Sequence, residues 1–118
     1  MDQQADQQTA NGGKTLDDCR RQIDTLDAEL LRLLNQRAAI ACEIASIKVA
    51  SGLPAYDGNR ELQVLARVAE QNTGPLDQQS VTDIFAGIIR ETRRLGTQRM
   101  QEQSGKAVVG VQGPGTSG

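Results

Sequence analysis

Two basic residues, Arg37 and Lys48, stand where an apolar side chain is expected. Extending the apolar positions Ile23 and Leu30 by another seven residues leads to Arg37, and the next step leads to Ile44. On a helix, Arg37, Ile44 and Lys48 lie within about 40° of one another. A permanent cation on an apolar face is costly unless an anion meets it. The pattern therefore indicates structural ion pairs or an anion site, although both aliphatic stems also allow the charges to reach solvent.

A second polar group, formed by Asp57, Arg60 and Glu61, stands at the predicted start of another helix. Asp57 is favourable there as a cap, whereas an arginine near a helix start opposes the helix dipole unless it faces an anion. Arginine grips a carboxylate through two parallel hydrogen bonds, and lysine acts as a point charge. Arg37, Lys48 and Arg60 together predict a helical pocket for a small di- or tricarboxylate.

The element that carries Arg37 and Lys48 is predicted to be one long helix. Apolar residues recur in steps of three and four from Leu16 onward, and no proline interrupts them. We expect Thr15 or Asp17 as the cap and an end near Ala50, roughly 35 residues or about 50 Å away. A lone helix of this length would leave its apolar stripe in water, so the pattern predicts a partner, and a second copy of the helix suits it.

Two further helices are predicted, which gives an all-α chain of one long, one short and one medium helix. A Gly-Pro turn ends the long helix, and the short helix runs from Asp57 to about Asn72. The medium helix is expected from Leu76 or Asp77 to Met100. No strand and no internal repeat is predicted.

The chain of 118 residues forms one domain at most. Segments 1–14 and 101–118 are poor in large apolar side chains, so neither buries enough surface to offset the entropy of ordering it. We therefore predict a folded domain at 15–100 between two flexible segments. A core of this size is modest, and oligomerisation would enlarge it.

The amino-acid composition limits the kinds of catalytic chemistry and the classes of partner that the chain can have. The chain has no His, which removes the commonest general base and metal ligand, so no metal is expected. Cys19 and Cys42 lack metal-ligand spacing and are interpreted as small buried apolar residues in a reducing cytosol. The net charge of −2 makes nucleic acid and acidic membranes poor partners. With neither a signal peptide nor a membrane span recognised, a cytoplasmic location is expected.

The charged residues follow one another at a specific spacing: Arg20, Asp27, Arg37, Lys48, Asp57, Arg60 and Glu61. With the segments Leu16–Arg37 and Ile84–Arg93, this spacing closely resembles the all-helical class of chorismate mutases, which are free-standing or fused to other shikimate-pathway enzymes. The resemblance covers about Leu16 to Leu95, nearly the whole predicted domain.

The resemblance implies three helices per chain and an intertwined homodimer joined through the long helices, with two active sites shared between chains. It also implies a cofactor-free Claisen rearrangement of chorismate to prephenate in phenylalanine and tyrosine biosynthesis. Arg20 precedes Arg37 by about 25 Å of helix, too far to reach a pocket around Arg37 of the same chain. Arg20 is therefore expected to serve the partner's site; an exposed arginine near a frayed helix start is the alternative.

The same resemblance implies a role for each site residue. Arg37 and Arg20 of the partner subunit would clamp carboxylates, and Lys48 would lie between a carboxylate and the ether oxygen. Arg60 would orient Asp57 and Glu61, with Glu61 accepting from the ring hydroxyl. The ring carboxylate would meet Thr92, and two apolar walls are implied at Ile44 and Ile89.

One position departs from the family pattern. Four residues after Thr92 the family usually places Gln or Glu, which helps to bind the ether oxygen, whereas this chain has Gly96. Losing a transition-state hydrogen bond costs roughly 10² to 10³ in rate. The sequence predicts a weak enzyme, or a rearranged site in which Gln98 or Arg99 compensates.

Two other functions compete with this interpretation. A regulatory or interaction module on the mutase fold would bind an aromatic-pathway enzyme or an end product and have weak or partner-dependent activity. The segment Val108–Gly115 faintly resembles the first strand and Gly-rich turn of a prephenate dehydratase domain, which suggests a severed fusion. An isochorismate-pyruvate lyase on the same scaffold would need similar cations for its anionic substrate.

Overall fold

The computed structural model describes residues 13–112, and the side chains of residues 13–104. Within that range the chain forms three α-helices and no β-strand: α1 (Leu16–Ser51), α2 (Gly58–Gln71) and α3 (Gln78–Gln112). The predicted all-α class and the helix order are confirmed. The chain divides into two compact units, Met1–Gln36 and Arg37–Gly118, which are described separately.

In the first unit, α1 begins with a reciprocal cap. Thr15 Oγ1 accepts from the Asp18 backbone N–H at 3.0 Å, and Asp18 Oδ2 accepts from the Thr15 N–H at 3.1 Å. The second of these bonds lowers the pKa of the Asp18 carboxyl. Thr15 is thus the cap rather than Asp17. Both residues were candidates on sequence alone, and the reciprocal pair with Asp18 distinguishes them.

The apolar face of α1 in the first unit is exposed. Ile23, Leu26 and Leu30 expose 55%, 59% and 55% of their surface, and Leu31 exposes 61%. Cys19 shares this exposure, so the prediction that it is buried is wrong, whereas Cys42 in the second unit is partly buried. The sequence pattern located the apolar face correctly, but periodicity alone does not show whether the same chain covers it.

The second unit contains the buried core, which consists of Ala45, Val81 and Ile89 among the described residues. Gly52 ends α1 in the left-handed conformation, with φ 68°. Its N–H bonds to Val49 O, and the Leu53 N–H bonds to Lys48 O at 2.9 Å. This pair of bonds satisfies the last carbonyls of α1 and turns the chain toward α2.

The starts of α2 and α3 are capped by aspartates. Asp57 Oδ1 accepts from the Arg60 N–H at 3.1 Å, and Asp77 Oδ1 accepts from the Ser80 N–H at 2.7 Å. The bond to Ser80 lowers the pKa of Asp77. Between the helices, Asn72 Nδ2 donates to Leu76 O at 2.7 Å and fixes the turn. Both starts fall within two residues of their predicted positions.

The third helix ends later than predicted. It continues past Met100 to Gln112, and the next proline, which would stop a helix, is Pro114. Residues 108–112, compared above with a strand, are helical, and 113–115 lie outside the described residues. Gln103 Nε2 donates to Ser46 Oγ at 2.7 Å and so joins this extension to α1. The limits of the folded domain stay a prediction.

No helix in the described part of the chain is long and apolar enough to cross a membrane.

Candidate active site

The second unit contains a cavity of about 280 Å³ between the C-terminal half of α1, the α1–α2 connection, α2 and α3. This volume is close to the lower end of ligand pockets, about 300 Å³. Eight of the nine predicted site residues line it: Arg37, Ile44, Lys48, Asp57, Arg60, Glu61, Ile89 and Thr92. The ninth, Arg20, is an exposed residue of the first unit and is not among the lining residues.

Arg37 enters the cavity from α1 and is fixed by α3. Its Nη1 donates to Thr92 Oγ1 at 2.9 Å. The Thr92 hydroxyl in turn donates to Ile88 O at 2.9 Å, so its lone pair is available to the guanidinium. This relay holds a half-buried cation in place through a neutral partner and leaves other N–H groups of Arg37 available to a ligand.

Lys48 lies three helical turns further along α1, at the other end of the cavity's α1 wall. Its Nζ donates to Ala55 O at 2.9 Å, which joins α1 to the connection that leads into α2. An ammonium group carries three donors, so this bond leaves two for a ligand. The lysine is half-buried and has a fixed direction.

Glu61 is oriented by Arg93, a residue that the sequence analysis did not select. Arg93 Nη1 lies 3.2 Å from each carboxylate oxygen of Glu61. Arg60 contacts Asp57 only through its backbone N–H, and its exposed side chain forms no ion pair within the described range. The side chain that contacts the Glu61 carboxylate in this structure is therefore that of Arg93, whereas the resemblance implied this contact for Arg60.

The cavity is positively charged. Four basic and two acidic side chains line it, a net charge of +2: Arg37, Lys48, Arg60 and Arg93 against Asp57 and Glu61. Of the four cations, only Arg93 forms an ion pair with another described residue. Structural ion pairs, one of the three interpretations of Arg37 and Lys48, are therefore absent among the described residues. Cations held in a concave site without carboxylate partners indicate an anionic ligand.

The apolar part of the cavity includes further residues that sequence reasoning missed. Met100 and Val64 line it, together with alanines of α1. On α3 the residues Ile89, Arg93, Gly96 and Met100 follow one another in steps of three and four, and this spacing is the signal that could have identified Arg93 and Met100. Among the described residues, no three His, Cys, Asp or Glu side chains lie together as a metal site.

Gly96 lines the cavity at a position that has room for a Cβ atom. A Cβ atom built there would lie 3.8 Å from Ala41 O and 4.0 Å from Ala45 Cβ, which are ordinary van der Waals distances. A larger residue at this position therefore meets no backbone obstacle at its first side-chain atom. Packing therefore does not exclude a Cβ atom at position 96.

Three helices enclosing a cationic, partly apolar cavity define the class of this protein: an all-helical protein whose cavity is suited to a small anion. Residues 19–97 match the model of the family described as chorismate mutase type II, and the chain belongs to this family. It is 43% identical over 72 residues to the bifunctional chorismate mutase/prephenate dehydratase of Neisseria gonorrhoeae, covering 61% of this chain and 19% of that protein. It is 30% identical over 95 residues to a chorismate mutase of Methanocaldococcus jannaschii, covering 77% and 93%.

The fold is similar to a solved structure of chorismate mutase (form II) from Thermus thermophilus. The TM-score is 0.66 at 32% identity, covering 67% of this chain and 90% of that one. The chain spans about a fifth of the length of the bifunctional relatives that it matches. The resemblance inferred from the charged residues is thereby confirmed.

Proposed function

We propose that this chain catalyses the rearrangement of chorismate to prephenate. The observation that carries the proposal is the trio Arg37, Lys48 and Arg60, which line one cavity without ion-pair partners among the described residues. Chorismate carries two carboxylates, so its charge complements the cavity's net charge of +2. Membership of the chorismate mutase type II family supports the same substrate.

The reaction is unimolecular: the ether C–O bond breaks while a C–C bond forms in the same molecule. No proton, electron or group leaves the substrate, so the protein needs neither a nucleophile nor a cofactor for the proposed step. Its contribution is to hold the compact reactive conformer and to place positive charge near the ether oxygen as that bond breaks. Because these charges are held in place before the reaction, their electrostatic field stabilises the polarised transition state more than the ground state.

In this mechanism each cavity residue has a distinct role. Arg37, held by Thr92, clamps one carboxylate, and Lys48 shares its two remaining donors between a carboxylate and the ether oxygen. Glu61 accepts from the ring hydroxyl, and Arg60 adds positive charge at the start of α2 beside the capping Asp57. Ile44 and Ile89 form apolar walls against the ring.

The active protein is proposed to be a homodimer in which Arg20 of each chain completes the partner's site. The exposed apolar face of α1 in the first unit supports this, because seven of its large apolar side chains are exposed: Leu16, Ile23, Leu26, Leu30, Leu31, Leu33 and Leu34. A second copy of α1 would cover that face. A cytoplasmic location suits two cysteines that are both free thiols.

The test is the loss of chorismate, followed by ultraviolet absorbance, with the purified chain alone and with chromatography of the products. Prephenate as the only product is the expected result. Unchanged chorismate would contradict the proposal. In that case, turnover of isochorismate with release of pyruvate would identify a lyase, and turnover only with an added aromatic-pathway enzyme would identify a partner-dependent module.

A further inference from the structure

Arg93 joins three parts of the second unit. From α3, its Nη1 lies 3.2 Å from both carboxylate oxygens of Glu61 on α2. Its Cζ also lies 5.2 Å from the centroid of the Tyr56 ring, in the connection between α1 and α2. A guanidinium group can make both contacts at once, because its N–H edge binds carboxylates and its flat face stacks on aromatic rings.

Gly58 allows the Tyr56 ring to lie over the first turn of α2. A Cβ atom at Gly58 would be 2.8 Å from Tyr56 Oη and 3.1 Å from Tyr56 Cζ, closer than side-chain atoms pack. Only glycine therefore accommodates the ring in this position without a shift. The ring of Tyr56, a residue that exposes 60% of its surface, lies beside Gly58 and beneath the guanidinium of Arg93.

The position of Tyr56 also affects Lys48. Ala55, the residue before Tyr56, provides the carbonyl oxygen that accepts from Lys48 Nζ at 2.9 Å. Anchoring the Tyr56 ring therefore restricts the backbone that sets the direction of the Lys48 ammonium group. Arg93 is connected to two of the proposed active-site residues, directly to Glu61 and through the loop to Lys48.

We propose that Arg93 is a positioning residue of this active site. Arg93 holds the Glu61 carboxylate through an ion pair. Through its contact with Tyr56, it also holds the loop whose Ala55 carbonyl orients Lys48. Since Glu61 neutralises its charge, Arg93 differs from Arg37, Lys48 and Arg60, whose charges remain available to a ligand. This inference rests on the proposed function, because Glu61 and Lys48 act there on chorismate.

The kinetic test compares Arg93→Ala with Arg94→Ala, a matched control. Arg94 is the next residue on α3, pairs with Glu91 and does not line the cavity. Misplacement of reacting groups by about 1 Å costs about 10²-fold in rate, so Arg93→Ala is expected to lower kcat/KM by about 10- to 100-fold, with helicity unchanged. Arg94→Ala is expected to leave kcat/KM unchanged. Arg93→Lys should recover part of the lost kcat/KM, because an ammonium group can pair with Glu61 but has no flat face to stack on the Tyr56 ring.

A double-mutant cycle with Glu61→Gln separates positioning from a purely structural role. If Arg93 acts through Glu61, Arg93→Ala must have a smaller effect in the Glu61→Gln background than in the wild type. An effect of undiminished size in that background would overturn the part of the proposal that rests on the ion pair with Glu61.

A spectroscopic measurement tests the loop contact without turnover. Tyr56 is the only tyrosine and the chain has no tryptophan, so the near-ultraviolet circular dichroism arises from Tyr56 and Phe85. The tyrosine band is expected to weaken in Arg93→Ala and to persist in Arg94→Ala. An unchanged band in Arg93→Ala would overturn the inference, whereas a wild-type chain that leaves chorismate intact would contradict the proposed function instead.

Discussion

At the scale of single residues, the site depends on cations that are held by neutral partners. Arg37 is fixed by the Thr92 hydroxyl and Lys48 by the Ala55 carbonyl, and neither partner cancels the charge. The cost of keeping these charges half-buried is therefore not recovered within the described part of the chain. Such an arrangement favours a ligand that brings the negative charge.

Replacing either cation should remove transition-state stabilisation without unfolding the helices. We expect Arg37→Ala and Lys48→Ala each to lower kcat/KM by about 10²- to 10³-fold, the usual cost of a lost electrostatic contact in a preorganised site. Steady-state kinetics with far-ultraviolet circular dichroism measures both effects, and Arg94→Ala is the control. Wild-type kinetics in either variant would remove that residue from the mechanism.

Gly96 offers a second test at this scale, with a matched pair of variants. Glycine weakens a helix by about 1 kcal/mol relative to alanine, so both Gly96→Ala and Gly96→Gln should raise the Tm. The first side-chain atom fits, since it would lie 3.8 Å from its nearest neighbour, Ala41 O. Only the glutamine supplies a donor at the cavity wall, so only Gly96→Gln should also raise kcat. Equal kcat in the two variants would show that the position does not limit the reaction.

At the scale of the helices, local signals predicted the three starts but did not predict the end of α3. Thr15, Asp57 and Asp77 cap their helices through bonds to residues three positions away, which a sequence pattern can indicate. The end of α3 had no comparable signal. Gln103 bonds to Ser46 across the fold, and no window of local sequence contains both residues.

The bond between Gln103 and Ser46 should stabilise the last turns of α3. A partly buried neutral hydrogen bond contributes about 0.5–1.5 kcal/mol, so Gln103→Ala is expected to lower the free energy of unfolding by that amount. Hydrogen exchange after Met100 should also become faster. Gln98→Ala, at an exposed position of the same helix, is the control. Ser46→Ala should reproduce the effect, and additive losses in the double variant would show that the two side chains do not act through their mutual bond.

At the scale of the whole molecule, the same residues show how far the sequence could predict the site. A seven-residue apolar spacing singled out Arg37, and helix-start chemistry singled out Asp57 and Arg60. Arg93 was missed because its importance depends on Glu61 and Tyr56, which lie on other elements and meet it only in the folded chain. Periodicity identifies a face of a helix, but it does not identify which residue on another helix will contact that face.

The chain also has too little buried apolar surface for the apolar residues it contains. Ala45, Val81 and Ile89 are its buried apolar side chains within the described range, while leucines and isoleucines of α1 are exposed. Because apolar burial is the main source of stability, a second chain would supply what a single chain lacks. Sedimentation at micromolar concentration should therefore show a dimer, and a monomer alone would contradict the shared-site proposal.

A mixing experiment tests whether Arg20 works in the partner's site. Arg20→Ala and Arg37→Ala should each be nearly inactive, since every site in either homodimer lacks one clamp. In a mixed dimer, one site combines Arg37 of the first variant with Arg20 of the second, while the other site lacks both. Co-refolding equal amounts should therefore restore about a quarter of wild-type activity, because half the dimers are mixed and each has one intact site. If Arg20 acted within its own chain, both sites of the mixed dimer would remain defective and mixing would restore nothing.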